Sequence, residues 1–268
     1  MTTKLLDISE LTKEDIQQIW QRVRHGAEHT LQGNVAWSFE GNGIRTRTTF
    51  VQAFQQLGLN YVELPNFLKT GESAQDLAGY MDAFYDLYVI RESDHIRFQD
   101  FANFTDKPVI NAMSSEAHPC EVLTDAYYLD HKYADLTQRR ILLWGPLTNV
   151  FKSWHALSQV LGLDVTHYCP PAEHRELPDV TFTDAPSGQF DLVITDAWPS
   201  GFNDAAFALS EHTLLALGEP ELLPTPPVTV GQELLFTPAS YKRFAGYRQK
   251  QLLLPVQVAI ISHLLAGH

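Results

Sequence analysis

Cysteine is scarce in this chain of 268 residues: Cys120 and Cys169 are the only two. Two thiols cannot staple a disulfide framework, and such usage fits a reducing compartment. Basic residues are also few, with Lys+Arg 19 against Asp+Glu 32, for a formal net charge of −13. A surface of that sign repels phosphate backbones and anionic headgroups, so neither nucleic acid nor a membrane is an expected partner. No apolar run approaches the roughly 18 residues of a membrane-spanning helix. The opening Met1-Thr2-Thr3-Lys4, leading into an acidic helix, does not read as a secretory signal. Short repeats and low-complexity tracts are absent too. With 44% apolar and 19% charged residues the composition is that of a folded core, and a cytoplasmic globular protein is the expectation.

Several sequence motifs are also missing. There is no G-x-x-x-x-G-K-[ST] loop, no G-x-G-x-x-G after a strand, and no G-x-S-x-G elbow, so nucleotide hydrolysis, hydride transfer and serine hydrolysis lose ground. His25-Gly26-Ala27-Glu28-His29 matches the H-x-x-E-H pattern of some zinc enzymes. It lies in an amphipathic helix with no clear third ligand, so a solvated helix face accounts for it and no metal or cofactor is expected.

What is present is an alternation of strands and helices. Thr12, with Asp15 three residues on, caps a helix carrying Ile16, Ile19, Trp20, Val23 and Ala27 at helical spacing. Val35, Trp37 and Phe39 read as a strand, followed by the turn Glu40-Gly41-Asn42-Gly43. A helix then turns Phe50, Ala53, Phe54 and Leu57 inward and stops at Gly58. Tyr61 to Leu64 is the next strand, and Ser73 caps a helix bearing Leu77, Ala78, Met81 and Phe84. Strands end at Arg91 and at Asn111. In the second half, strands over 141–144, 164–168 and 192–194 flank a helix over 149–161. Asp135 to Arg140 reads as an inter-lobe connection, Pro220 to Pro227 as a cleft-lining loop, and Val256 to Leu265 as a closing helix. The fold class expected is α/β, two lobes, each a mainly parallel sheet flanked by helices. The domain limits expected are 1–133, 134–248, and a C-terminal helix over 249–268 returning to the first domain. In such folds the chemistry lies at strand C-termini, here between the lobes.

Polar residues follow the strands at those positions. Arg45-Thr46-Arg47-Thr48 opens a helix, where free amides and the helix dipole favour an anion and arginine adds paired donors. A surface ion pair is the bland alternative for these arginines, as it is for Arg91. His118, before Pro119, taken alone is an ordinary loop histidine.

Taken together and in order, the motifs resemble the aspartate/ornithine carbamoyltransferase family, nearer its ornithine branch. Phe39-Glu40-Gly41-Asn42-Gly43-Ile44-Arg45-Thr46-Arg47-Thr48-Thr49-Phe50 occupies the family's F-x-x-x-S-T-R-T-R-x-x-F. Gly71-Glu72-Ser73-Ala74-Gln75-Asp76 stands for G-E-[ST]-x-x-D, and Val89-Ile90-Arg91 for its strand ending in arginine. Pro108 to Ala112, then His118-Pro119-Cys120-Glu121-Val122-Leu123-Thr124-Asp125, stand for P-V-I-N-A and H-P-x-Q-x-L-x-D. Asn149-Val150 with Ser153 resembles N-N-V-x-x-S, and Thr195-Asp196-Ala197-Trp198-Pro199-Ser200 resembles T-D-V-W-x-S.

The resemblance implies an amine attacking the carbonyl of carbamoyl phosphate, a reaction that needs preorganised donors around an anion. By that resemblance Gly43, Ile44, Arg45 and Thr46 with the helix-start amides would hold phosphate. Arg91 would bridge phosphate and carbonyl oxygen, and His118 would donate to that oxygen. Asp196 and Ser200, with Asn149 nearby, would hold the amine end of an acceptor. Glu121, Pro226 and Arg248 complete the expected donor site, and the family's homotrimer is implied as well.

The chain also departs from the pattern. Gly43-Ile44 removes two hydroxyls, each such bond to a charged group being worth roughly 1.5–3 kcal/mol. Glu121 replaces a glutamine and can accept from the carbamoyl NH2 but not donate. Pro224-Thr225-Pro226-Pro227 replaces H-C-L-P, with a cis bond before Pro227 plausible on sequence, and Thr70 stands near where the aspartate branch has a lysine. The expectation is therefore a carbamoyltransferase whose acceptor is neither plain aspartate nor plain ornithine. The alternatives are a non-catalytic relative binding an anionic metabolite or a protein, and a transferase using another acyl phosphate.

Overall fold

Strands β1 (Lys4–Leu5), β2 (Asn34–Phe39), β3 (Asn60–Glu63), β4 (Leu87–Glu92) and β5 (Val109–Ser114) form one parallel sheet in the order β1-β5-β4-β2-β3. A second parallel sheet holds β6 (Arg140–Trp144), β7 (Asp164–Tyr168), β8 (Val180–Thr183), β9 (Leu192–Thr195) and β10 (Glu221–Pro224), ordered β10-β9-β6-β7-β8. The computed structural model describes residues 4–26 and 30–266. Each sheet belongs to its own unit: one takes the chain up to Tyr127 and again from Gln251 onward, the other runs Tyr128–Lys250. Parallel strands need crossover helices, and the sequence supplies them with start signals in place.

In the first unit, α1 (Lys13–His25) begins at a reciprocal cap: the Asp15 amide donates to the Thr12 hydroxyl and the Asp15 carboxylate accepts from the Thr12 amide. The crossovers are α2 (Ile44–Leu57), α3 (Ala74–Met81) and α4 (His95–Phe104). Helix α9 (Leu253–Leu265) packs on α1 and α2, and its buried His263 lies 3.1 Å from Asp15. Trp37, fully buried, packs its ring tilted or edge-on among Phe39, Phe50 and Phe54 at centroid distances of 4.9, 5.4 and 5.6 Å. Val35 to Phe39 are all buried, so β2 lacks the one-sided exposure of an alternating strand, as expected for the inner strand of a covered sheet.

Helix α5 (Pro119–Tyr133) carries the chain from β5 toward the second unit, whose helices are α6 (Asn149–Leu161), α7 (Glu211–Ala216) and α8 (Gly246–Lys250). Thr148 caps α6 by accepting from the Phe151 amide, and Gly162 ends it in the left-handed region.

Three readings need correction. Residues 220–227 are not a loop throughout, because Glu221–Pro224 is a buried edge strand paired with β9. Its proline tolerates that place because an edge strand has no ladder partner on one side. Phe84 lies beyond the end of α3 and is 64% exposed, so it contributes nothing to the core. Asp135 to Arg140 is not a plain connection: Asp135 caps a 3-10 turn over Leu136–Gln138, and Arg140 already belongs to β6.

One irregularity sits in the middle of the first sheet. Ile90 pairs with Asn111, but Arg91 pairs with Met113, so Ala112 is passed over where β4 meets β5. Such a bulge bends the strand and re-aims the residues after it.

Candidate active site

Parallel sheets present their strand C-termini on one edge, and the arrangement here follows from strand order. In the first unit β5, β4 and β2 are neighbours. The turn leading to His118, the guanidinium of Arg91 and the start of α2 therefore leave adjacent strands at the same edge.

Gly43 caps α2 with no side-chain bond, and Ile44 beside it is 66% exposed. Arg45 is exposed and Thr46 is buried. Arg91 is half-buried, and burial lowers its pKa, with the charge of Arg45 acting in the same direction and that of Glu40 opposing. The two expected phosphate-binding arginines thus lie within each other's field, an arrangement that an anion between them would relieve.

Phe39 is a part of this site that sequence reading missed. The guanidinium carbons of Arg47 and Arg91 lie 4.8 and 5.1 Å from its ring centroid. A Cβ added at Gly43 would come within 2.5 Å of Arg91 Nη1 and of the Phe39 ring. The departure from serine at 43 is therefore compensated sterically: ring and guanidinium occupy the volume a side chain would need. Arg47 itself is engaged by Glu63 at the edge strand β3, as the surface-pair alternative would have it.

Glu40 and Lys69 were also missed. The Glu40 carboxylate pairs with Lys69 and accepts from the Ser93 amide at 2.7 Å, which together hold its pKa down at about 2. It places a fixed negative charge beside Arg91. His118 and Glu121, at the start of α5, are both buried, His118 being 7% and Glu121 4% exposed.

The second unit repeats the pattern with β6, β9 and β10 as neighbours. Asn149 opens α6 after β6, Asp196 and Ser200 follow β9, and Pro226 follows β10, with the Pro226–Pro227 bond cis. Asp196 is half-buried by surface exposure, yet the protein packed around its carboxyl raises its pKa to about 6. A bond from Thr148 and the Ala197 amide oppose that rise, and the charge of Glu233 adds to it. Glu233 is buried and accepts from the Trp198 amide at 3.1 Å and the Thr229 amide at 2.8 Å. Thr148 and Glu233 thus join Asp196, and the T-D-x-W-x-S pattern pointed to neither of them. Ser200 is exposed.

Arg248 has a different neighbourhood. It lies beside the Tyr128 hydroxyl, which donates to Glu221 at 3.0 Å. Glu221 opens β10, at the opposite end of the strand from the one that leads to Pro226. Of the H-x-x-E-H pattern, His25 is exposed and its Nδ1 is 2.9 Å from the Gln21 carbonyl, while residues 27–29 lie outside those described. Among the described residues no His, Cys, Asp and Glu group could hold a metal, and no helix is long and apolar enough to cross a membrane.

Comparison with known proteins bears on the fold and the family. Residues 3–131 match the family model described as aspartate/ornithine carbamoyltransferase, carbamoyl-P binding domain. An ornithine carbamoyltransferase of Halorhodospira halophila is 30% identical over 230 residues, covering 77% of this chain and 76% of that protein. One from Methanopyrus kandleri is 27% identical over 307 residues, covering 98% and 97%. Among solved structures, ornithine carbamoyltransferase from Thermus thermophilus superposes with TM-score 0.89 at 25% identity, covering 99% of each chain. The Pyrococcus furiosus enzyme superposes at 0.90 with 21% identity, covering 100% of this chain and 98% of its own.

Proposed function

Because the chain belongs to the aspartate/ornithine carbamoyltransferase family, we propose that it moves a carbamoyl group from carbamoyl phosphate to the amine of an amino-acid acceptor. The observation that carries this reading is the Arg91 guanidinium at the end of β4 lying against the start of α2, where a Cβ at Gly43 would meet its Nη1 at 2.5 Å and where Arg45 adds its own charge. In the reading, Arg45, Thr46 and the amides of residues 43–46 hold the phosphate. Arg91 bridges phosphate and carbonyl oxygen, and His118 donates to that oxygen as it gains charge. Glu121 accepts from the carbamoyl NH2. Asp196, Ser200 and Asn149 hold the acceptor. With a pKa of about 6, Asp196 is ionised about ten to one at pH 7, ready to pair with an ammonium group. An uncharged amine nitrogen of the acceptor attacks the carbonyl carbon, the carbon–oxygen bond to phosphate then breaks, and the proton that the nitrogen loses leaves with the phosphate.

Residues 1–133 are assigned the donor in this reading, 134–248 the acceptor, and 249–268 a return to the first domain. Pro226 retains its donor-site role, Arg248 carries only the role that resemblance lends it, and a homotrimer is part of the same reading. The relatives described above are named ornithine carbamoyltransferases and lend nothing to an acceptor other than ornithine or aspartate. Ornithine is accordingly the first acceptor to assay.

The test is phosphate release from carbamoyl phosphate with ornithine, aspartate and a panel of other amines. Turnover with at least one amine, cut on the order of a hundredfold or more in Arg91→Ala, supports the reading. No turnover with any amine, alongside calorimetric binding of carbamoyl phosphate, replaces it with a non-catalytic binder. The exposed Ile44 and the Glu40 charge beside Arg91 favour that second reading.

A further inference from the structure

Between β5 and α5 the chain makes a turn, residues 114–118, around one buried hydroxyl. Ser114 is 1% exposed. Its Oγ accepts from the Ala117 amide at 3.2 Å and from Asn111 Nδ2 at 3.0 Å, and it lies 2.8 Å from His95 Nδ1. The Ser114 amide in turn donates to the Ala117 carbonyl at 2.9 Å. A serine hydroxyl has one proton to give. Within its reach are His95 Nδ1 at 2.8 Å and the Ala117 carbonyl at 3.4 Å. With the Ala117 and Asn111 N–H groups already on the oxygen, donation along the shorter contact leaves the neutral His95 ring with its own proton on Nε2. Asn111 Nδ2 also donates to the Leu6 carbonyl at 2.8 Å, which ties the same hydroxyl to the chain just after β1.

His118 follows Ala117 directly, and its own carbonyl accepts from the Val122 amide at 3.2 Å. The backbone of His118 is thus held from the C-terminal side by α5 and from the N-terminal side by the Ser114 hub. We propose that Ser114, oriented by His95 and Asn111, is a positioning residue that aims the His118 imidazole at the substrate carbonyl. The word substrate here rests on the transferase reading above. The positioning itself does not, and the experiment separates the two. His95 acts on the hub from α4, where Asp94 caps the helix and the Phe98 ring meets the imidazole edge-on at 6.4 Å.

The experiment uses full-length protein labelled with 15N at histidine, with His118 signals assigned by loss in His118→Gln. His95→Leu removes the acceptor of the Ser114 proton, whereas His95→Asn keeps an oxygen close to the Nδ1 position; Ser114→Ala removes the hub. The wild-type His95 ring should show the Nε2–H form, and the His118 imidazole signals should move in Ser114→Ala and His95→Leu but return in His95→Asn. In the turnover assay the same two variants should lose on the order of ten- to a hundredfold in kcat, with KM for carbamoyl phosphate within about twofold. His118 signals indifferent to both variants, or an Nδ1–H form of neutral His95, overturn the proposal. So does an equal loss in His95→Asn and His95→Leu. Should Ser114→Ala fail to fold, the His95 pair decides alone. Should the wild type turn over no amine, the transferase reading fails, while the imidazole signals still decide the positioning.

Discussion

Acid should weaken the second unit through two buried histidines, His155 on α6 and His167 on β7. His167 Nε2 is 2.9 Å from the Gly145 carbonyl and can only donate to it. In the neutral ring its Nδ1, 3.1 Å from His155 Nε2, must then accept, which puts the proton of that contact on His155 Nε2. The rings of Phe151 and Phe182 lie 4.9 and 5.6 Å from His167. Burial pushes the pKa of His155 down to about 3 and that of His167 to about 4, each from an ordinary 6.5. The unfolded chain therefore binds two protons that the native state refuses, and stability falls as pH drops below about 6.5. At pH 5 each site costs about 2 kcal/mol, 1.36 kcal/mol per unit over the interval from 6.5, or about 4 kcal/mol for the pair. The size requires only that both native values lie below that pH. Asp196 works the other way, since its raised pKa makes its penalty relax as pH falls through about 6; the relief by pH 5 is about 1.5 kcal/mol. A comparison of variants removes that opposing contribution. Urea unfolding at pH 8 and at pH 5, for wild type and for His155→Gln/His167→Gln, should show the double variant losing about 4 kcal/mol less across the interval. Equal losses in the two proteins would refute the reasoning.

Other substitutions probe other parts of the molecule. Gly43→Ala drives a Cβ to 2.5 Å from Arg91 Nη1 and the Phe39 ring; it should destabilise by about 1–3 kcal/mol and weaken phosphate binding in calorimetry, and unchanged binding would show that the guanidinium is not placed by this contact. Glu221, 1% exposed, takes the Tyr128 hydroxyl at 3.0 Å, the Tyr133 hydroxyl at 2.5 Å and Lys132 at 2.5 Å. Glu221→Gln should cost about 2 kcal/mol in chemical denaturation, discounted because Lys132 keeps contact with solvent, and a neutral result would mean the cluster is no brace. The pH profile of kcat/KM for the acceptor should fall on the acid side near pH 6, where Asp196 gains its proton, and Asp196→Asn should raise the acceptor KM and abolish that limb. A limb that persists in the variant belongs to another group.

The sequence was most readable where local chemistry and burial agree. The Thr12–Asp15 cap and the helix Asn149–Leu161 announce themselves through start signals and a 3.6-residue period, and both are present. The edge strand Glu221–Pro224 was hidden because its proline argues against a ladder, and only its position at the sheet margin permits it. Strand β8 was hidden as well, being short and largely half-buried. Helix α4 lacks a simple period, with Phe98 and Phe101 buried but Ile96 and Phe104 exposed. At the candidate site, the ordered arginines and histidine were legible because each follows a strand. Phe39, Glu40 and Lys69 were not, since their closeness to Arg91 comes from strand order and a folded-back lysine. Thr148 and Glu233 reach Asp196 from different loops, a convergence that no linear pattern encodes.

The passed-over Ala112 is a residue the first sheet can lose without losing its register. Deleting that single codon would let β4 and β5 zip in an uninterrupted ladder with Arg91 still opposite Met113 and Glu92 opposite Ser114, so each residue from Met113 to the end of the strand would keep its side of the sheet. A loss of one alanine would leave every polar group on its own face and take away only the local bend that turns the strand end toward His118.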